Sequence, residues 1–162
     1  MTTAADYANR SFDLLAFSGG ESQGDQLLSQ TLFSTSSSGE ICTGAQKLAQ
    51  RWMLEFLTIK GSMPFHLAAR GSDFMRWLRQ GYIRTEFDIQ AYFNFAAQQV
   101  RINLLNDETT DVPDDERINK ANLLSFAITP GFLELQIQVV SIAGDSREVI
   151  LPISVVPVNI AV

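Results

Sequence analysis

A single histidine, His66, and a single cysteine, Cys42, limit the chemistry open to this chain. One imidazole could serve as the base of one triad, but a multi-histidine metal site would need more. His66 lies between Phe65 and Leu67, a setting that suits a packing or capping side chain as well as a base. Cys42 precedes an expected helix start, where a thiolate could be stabilised. No motif residue accompanies it, so a small buried side chain is the simpler reading. The acids offer two further constellations. Asn106 to Glu116 holds six of them, Asp107, Glu108, Asp111, Asp114, Asp115 and Glu116. Calcium comes to mind, yet the sixth-position glycine and regular ligand alternation of an EF-hand are missing. A solvated charged loop, or one that docks a basic partner, fits instead. Glu55, Asp73 and Glu86 are the acids around the aromatic middle of the chain. A glycosidase would need two carboxylates about 5 to 9.5 Å apart across a cleft. Each of the three has an ordinary place: an exposed helix face, a helix cap and a first helical turn. No catalytic residue, cofactor or metal ligand is therefore assigned, and an enzyme is not expected.

The stretch Thr43 to Gly71 must position most of these groups. Thr43 followed by Gln46 reads as a capping box. Ala45, Leu48, Trp52 and Phe56 then recur on one helical face, with Ala49 and Met53 beside them. Lys60 and Gly61 are expected to close this helix, with Gly61 and Gly71 in left-handed turns and Pro64 beyond. Gly71 to Arg79 reads as a short helix capped by Ser72 or Asp73. Thr85 with Asp88 opens a third helix running to about Gln99. Its apolar residues fall on two faces, Phe87, Ala91 and Phe95 on one and Phe93 on another, so this helix is either buried on both sides or meets another chain.

Ahead of these helices, Phe12 to Phe17 reads as a strand, Ser18 to Gly24 as a turn, Gln26 to Phe33 as strand or short helix, and Ser34 to Gly39 as a polar loop. After them the period shortens to two. Val100, Ile102 and Leu104 alternate with polar residues and predict a strand straight after the third helix. Ile118 to Ile128 follows with a weaker pattern. Leu133, Leu135, Ile137 and Val139 alternate cleanly with Glu134, Gln136 and Gln138, so the first set should face the helices and the second should face out. Ala143 to Ser146 is a hairpin turn, and Arg147 to Val156 the last strand, at a sheet edge because Pro152 and Pro157 lack amide donors. The expected fold is α+β: about three helices packed on a small, mainly antiparallel sheet with a C-terminal β-hairpin. Residues 1–162 form one domain, with a lead (1–11), a strand and helical part (12–99), a sheet part (100–157) and a tail (158–162).

Composition narrows the partners. Hydrophobic residues make up 46% and charged ones 19% of 162 residues, which describes a folded chain with a sparsely charged surface. Twelve basic against eighteen acidic side chains give a net charge of -6, the wrong balance for a nucleic-acid binder. One cysteine allows no intrachain disulfide and suits synthesis in a reducing cytoplasm. The start, MTTAADYANR, lacks a signal-peptide pattern. The uncharged run Val149 to Val162 is too short and too proline-broken for a membrane helix. Ten aromatic residues lie between Trp52 and Phe95, more than three short helices need for their own core, and interfaces favour such residues.

Gln50, Leu57, Thr58, Gly61, Phe65 and Gly71 stand in an order that resembles the sheath initiators, small wedge components of phage baseplates with relatives in type VI secretion machines. The resemblance extends over roughly Phe12 to Val156. It implies a structural protein of the virion, assembled in the host cytoplasm, which sits in the tail baseplate in multiple copies of a ring and starts sheath polymerisation around the tube. Implied partners are the tail sheath protein, baseplate wedge proteins and the tail tube, with no nucleic acid and no membrane. The sheath would meet the C-terminal hairpin, at Leu133, Glu134, Gln136, Gln138, Val149, Leu151, Ile153 and Val155. Where the family has Glu-Pro-Arg at a helix-to-strand junction facing the wedge, this chain has Gln99, Val100 and Arg101, matching only in the arginine. Gln99, Arg101 and Phe93 would form that wedge contact. Relatives labelled lysozyme-like keep a cell-wall glycosidase open as an alternative, and another tail or neck connector as a second.

Overall fold

The computed structural model describes residues 13–14, 18–19, 28–29, 41–64 and 69–154. The strands and helices in order are β1 (Asp13–Leu14), β2 (Ser18–Gly19), β3 (Leu28–Ser29), β4 (Ile41–Cys42), α1 (Gly44–Leu57), α2 (Phe74–Arg79), α3 (Glu86–Asp107), β5 (Ile118–Thr129), β6 (Phe132–Ser141) and β7 (Ser146–Ser154). β5, β6 and β7 form an antiparallel sheet in that order, and β1 pairs with β4 and β2 with β3 in two short antiparallel ribbons. α1 packs on β6 and β7, and α3 packs on β5 and α1. The α+β expectation holds, with three helices and a C-terminal hairpin. His66, Phe65, Val155 and Pro157 lie outside the described residues, as do the Ser34 to Gly39 loop and most of the Phe12 to Phe33 stretch.

The core is aromatic at its centre. Trp52 stacks on Phe56 with ring centroids 4.9 Å apart, and Phe56 meets Phe74 at 5.0 Å and Phe93 at 5.6 Å. Leu133, Leu135, Ile137 and Val139 close it from β6, as their alternation predicts. The outward residues of the sheet join across strands: Asn122 to Gln138, Ser125 to Gln136, and Gln136 to Glu148.

Two sequence expectations fail in α3. The helix runs on through Val100 to Asp107, so no strand starts at Val100 and the sheet part begins only at Ile118. Val100 and Leu104, one helical turn apart, continue the buried face of Ile89, Phe93 and Ala96, while Ile102 between them faces solvent. A period of four had been disguised as a period of two. The faces are also the reverse of an outward Phe93. Phe93 is 0% exposed, whereas Phe87 is 78% and Phe95 65% exposed. The helix start is as read: the Thr85 hydroxyl accepts from the Asp88 amide and the Asp88 carboxylate accepts from the Thr85 amide. Hydrogen bonds from the Arg84 amide and Thr85 hold the Asp88 carboxyl below its usual range.

α1 begins after Thr43, but the expected capping box does not form; Thr43 makes no side-chain cap bond and Gln46 is exposed. The Gly44 amide instead donates to the Glu116 carboxylate at 3.2 Å. The helix also ends earlier than Lys60. Thr58 folds its amide and hydroxyl back to the Leu54 carbonyl, at 3.1 and 2.7 Å, and leaves the helix in an extended conformation. For α2, the Ser72 hydroxyl accepts from the Phe74 amide at 3.3 Å while donating to the Phe56 carbonyl at 2.7 Å.

The weak pattern of β5 has a simple cause. Its pairing with β6 shifts by one residue between Ile118 and Lys120 and again between Leu123 and Ser125. Each bulge moves the inward set by one position, so Ile118, then Ala121 and Leu123, then Phe126 and Ile128 face the core. The β6 to β7 turn keeps strict register: the Ser141 amide donates to the Asp145 carbonyl and the Gly144 amide to the Ser141 carbonyl, with Gly144 left-handed, the three-residue hairpin with a glycine bulge.

Gly61 and Gly71 both have positive φ, 84° and 96°. Gly61 is a turn residue beyond the helix rather than its cap, and a Cβ there would meet nothing within 4 Å. At Gly71 a Cβ would fall 2.4 Å from the Thr58 carbonyl oxygen, where the chain closes a loop through the Ile59 to Ser72 bridge. Gly61→Val should therefore cost about 1 kcal/mol from backbone strain alone, and Gly71→Ala about 2 kcal/mol or more because strain and a backbone clash add. Urea midpoints of the two variants measure this, and the order of the two losses is the outcome to check.

Candidate functional site

The three acids weighed as glycosidase carboxylates have different fates. Glu86 is exposed in the first turn of α3, as expected. Glu55 is not on an exposed face: it is 6% exposed and collects four hydrogen bonds and an ion pair. Arg70 Nε donates to both of its oxygens at 3.0 and 3.1 Å, the Gly71 amide donates at 2.7 Å and the Asn103 amide at 2.8 Å, and Arg70 Nη2 completes the ion pair at 2.9 Å. Arg70 also bonds Asp107, so one guanidinium joins α1 to the end of α3. Burial pushes the Glu55 carboxyl up, but the hydrogen bonds from Arg70, Gly71 and Asn103, with the Arg70 charge, outweigh it and hold the group below its ordinary 4.5. A general acid needs the opposite shift.

Asp73 is likewise buried and does not cap α2 with its side chain. Its amide donates to Gln99 Oε1 at 3.0 Å and its carboxylate accepts from Gln99 Nε2 at 2.8 Å, while Arg76 pairs with the other oxygen. Glu55 and Asp73 are thus ties between elements: both Glu55 oxygens accept hydrogen bonds, while Asp73 Oδ1 is buried with the Arg76 charge beside it and no hydrogen bond of its own.

The acidic segment Asn106 to Glu116 is more than a solvated loop. Glu116, 1% exposed, accepts from Lys47 Nζ at 2.7 Å as well as from the Gly44 amide. Glu108 accepts from the Ile118 amide at 2.8 Å and faces Arg117. The hairpin turn docks on it through the Ile142 amide to the Arg117 carbonyl and the Ala143 amide to the Asp114 carbonyl. Asp111 and Asp114 remain exposed. Among the described residues no group of three His, Cys, Asp or Glu gathers in a way that could hold a metal ion, and no helix is long and apolar enough to cross a membrane. Cys42 is buried at the start of α1, and burial raises its thiol, with Asp13 adding to the effect.

The residues expected at a wedge contact are occupied internally. Phe93 is core, Gln99 holds Asp73, and Arg101 donates to the Asn119 carbonyl at 2.6 Å, which is the residue at the first β5 bulge. The helix-to-strand junction on which that contact was read does not exist. Sequence patterning could not find the Arg101 to Asn119 bond because a bulge leaves only a weakened alternation behind.

The C-terminal hairpin carries the remaining candidate surface. Leu133, Val149, Leu151 and Ile153 are buried between the sheet and the helices, so their side chains are not available to a partner; Glu134, Gln136 and Gln138 lie on the outer face. β6 is central, hydrogen-bonded on both sides, and offers no free edge. β7 is an edge strand, as its proline requires. The Ser141 to Asp145 bond sets the alternation along the β6 to β7 register. Odd-numbered residues of β7 exchange bonds with β6, and the backbone groups of Ser146, Glu148, Ile150 and Ser154 point away from the sheet. Pro152, opposite Glu134, stands in the same outward row with no hydrogen to give. β3 lies against β7 without joining the sheet. The other edge, β5, is bent by two bulges. Compared with family models, curated proteins and solved structures, the chain finds no match in any of the three.

The Glu55 carboxylate makes a pH prediction. Because its folded pKa is depressed, the stability it contributes is present above about pH 4.5 and is lost as pH falls through the folded value. Glu55→Gln should cost about 2 kcal/mol at neutral pH, since it removes a charged partner from a partly exposed Arg70 and weakens two further bonds. Urea unfolding of both proteins from pH 7 down to pH 3 should show the gap between them narrowing in acid; a constant gap would mean that the charge on Glu55 does not matter.

Proposed function

We propose that this chain is a structural, non-enzymatic component of a contractile-tail baseplate, on which the tail sheath starts to polymerise around the tube. The reading joins the resemblance of the Gln50 to Gly71 stretch to the sheath initiators with one structural observation: β7 pairs with β6 without a register shift, and among the described residues no strand pairs with its other side. An edge with unpaired amides and carbonyls accepts an added strand, and main-chain bonds then supply affinity with little demand on side chains. That suits a hairpin whose apolar residues are spent on the core. The sheath strand would run along Ser146 to Ile150, where three consecutive outward amides are present, and stop at the gap made by Pro152. β5 is the poorer template, because bulges break its hydrogen-bond spacing. Wedge proteins would contact a surface other than Phe93, Gln99 and Arg101, and the assembly would hold multiple copies in a ring in the virion.

The edge can be altered without harming the fold. Glu148→Pro removes one outward amide hydrogen and leaves the backbone bonds to β6 in place, as Pro152 does naturally, at the loss of the exposed Gln136 to Glu148 side-chain bond. Gln136→Pro, in the central strand, removes a ladder bond and should unfold the sheet by about 3 kcal/mol or more. Baseplates carrying Glu148→Pro, with the thermal midpoint of the isolated protein near that of the wild type, should fail to grow sheath; normal sheath on such baseplates would remove β7 as the starting edge. Separately, the purified chain should leave peptidoglycan intact. A robust turnover abolished by changing Glu55, Asp73 or Glu86 would overturn the structural reading in favour of the glycosidase.

A further inference from the structure

The charge of this protein is unevenly placed. Residues 74–85 hold three arginines, Arg76, Arg79 and Arg84, and no acid, in a chain whose net charge is -6; Asp73 just before them pairs with Arg76, which leaves Arg79 as the exposed arginine of α2 without an ion pair among the described residues. The same residues expose aromatic rings. Trp77 packs against Tyr92 at 5.0 Å and edge-on against Phe95 at 5.9 Å. With Arg76, Gln80 and Tyr82, the rings of Trp77 and Tyr92 line an open depression of about 440 Å³. Phe95 and Tyr82 are mostly exposed beside it. Every polar side-chain group on this lining can donate a hydrogen bond, and none is a carboxylate. Flat rings bordered by guanidinium groups suit a segment that carries acids next to a proline or aliphatic residue.

Such a segment exists in the chain itself. Asp111, Val112, Pro113 and Asp114 follow the far end of α3, with both acids exposed, Asp114 paired with Arg117 at 3.2 Å, and the two apolar residues half-buried. The loop is held by the Glu116 and Glu108 bonds and by the hairpin turn, so it would dock with little loss of freedom. It cannot reach the aromatic depression of its own chain. From Tyr92, which lines the depression, to Asp107 the rise of α3 keeps the two apart by about 22 Å.

We propose that the aromatic, arginine-rich face around Trp77 and Arg79 binds the acidic loop Asp111 to Asp114 of a second copy. The contact is head-to-tail, since the two surfaces differ and sit at opposite ends of α3. A repeated contact of this kind builds a ring or an open chain rather than a closed two-fold dimer. It is independent of the sheath reading, because a protein that starts sheath could do so with or without contacts between its own copies.

The test uses the full chain and two charge reversals at exposed positions, Arg79→Glu and Asp111→Lys. Sedimentation velocity at about 0.05 M salt should show the wild type associating beyond a dimer as its concentration rises, and about 0.5 M salt should disperse it. Each reversal alone should weaken association about tenfold or more, by setting like charges together. Mixing the two should then restore association that neither variant shows alone: Arg79→Glu supplies an intact loop for the intact aromatic face of Asp111→Lys, and the reversed face and reversed loop left over again carry opposite charges. Unchanged thermal midpoints confirm that both variants are folded. A wild type that stays monomeric throughout, association indifferent to both reversals, or a mixture that restores no association would each overturn the proposal. The salt response of the wild type decides the matter even if one variant folds poorly.

Discussion

A buried carboxylate with no spare lone pair organises the helical half of this protein. Glu55 faces outward from α1 relative to Trp52 and Phe56, yet it is covered, because Arg70, Gly71 and Asn103 converge on it from the returning loop and from α3. An unpaired carboxylate at that depth would cost several kcal/mol, so the group can stay only if its partners stay. The geometry that follows is specific. The Gly71 amide can point at Glu55 only if residue 71 is left-handed and lies hard against Thr58, and this sets where the chain re-enters at Ser72 and starts α2. Ser72 bonds the end of α1 and Asp73 bonds Gln99 of α3, so three helices are locked in place by polar contacts around an aromatic centre that is itself undirected.

The parts of the fold that rest on one element's own periodicity were legible in the sequence. The buried stripe of α1, the capping box of α3, the alternation of β6 and the edge position of the proline-bearing β7 all follow from residues within a few positions of one another. What could not be read depends on residues far apart. Glu116 replaces Gln46 as the partner at the start of α1, and nothing local distinguishes it from its acidic neighbours. Glu55 looks like a solvent-facing acid until Arg70 and Asn103 are brought to it. The error at Val100 has a different origin: in a helix apolar on two opposite sides, residues two apart can all be apolar, and the sequence then imitates a strand. Of the expected contact residues, the backbone edge was visible through Pro152, whereas the assignment of Phe93 to a partner required knowing which side of α3 faces inward.

The sheet divides its duties by strand. β6 pairs on both sides and supplies the deepest aliphatic residues. β5 yields regularity, spending two bulges to follow α3 and receive Arg101 at Asn119. β7 keeps an unbroken register and a side turned outward. A partner strand would therefore find one regular edge and one irregular edge, and this difference is the physical basis for expecting one-sided growth.

The cap on α1 comes from a residue 72 positions away. A helix whose first turn is closed by its own neighbours can flicker into existence early and alone; this one lacks that local closure. The Gly44 amide and the Lys47 side chain find their acceptor only once the 3₁₀ turn at Asp114–Glu116 is set beside the hairpin. The beginning of α1 and the closure of the sheet should thus form one cooperative unit in amide hydrogen exchange, opening together, while the last turn of α1, tied to Thr58 and Ser72, belongs to another.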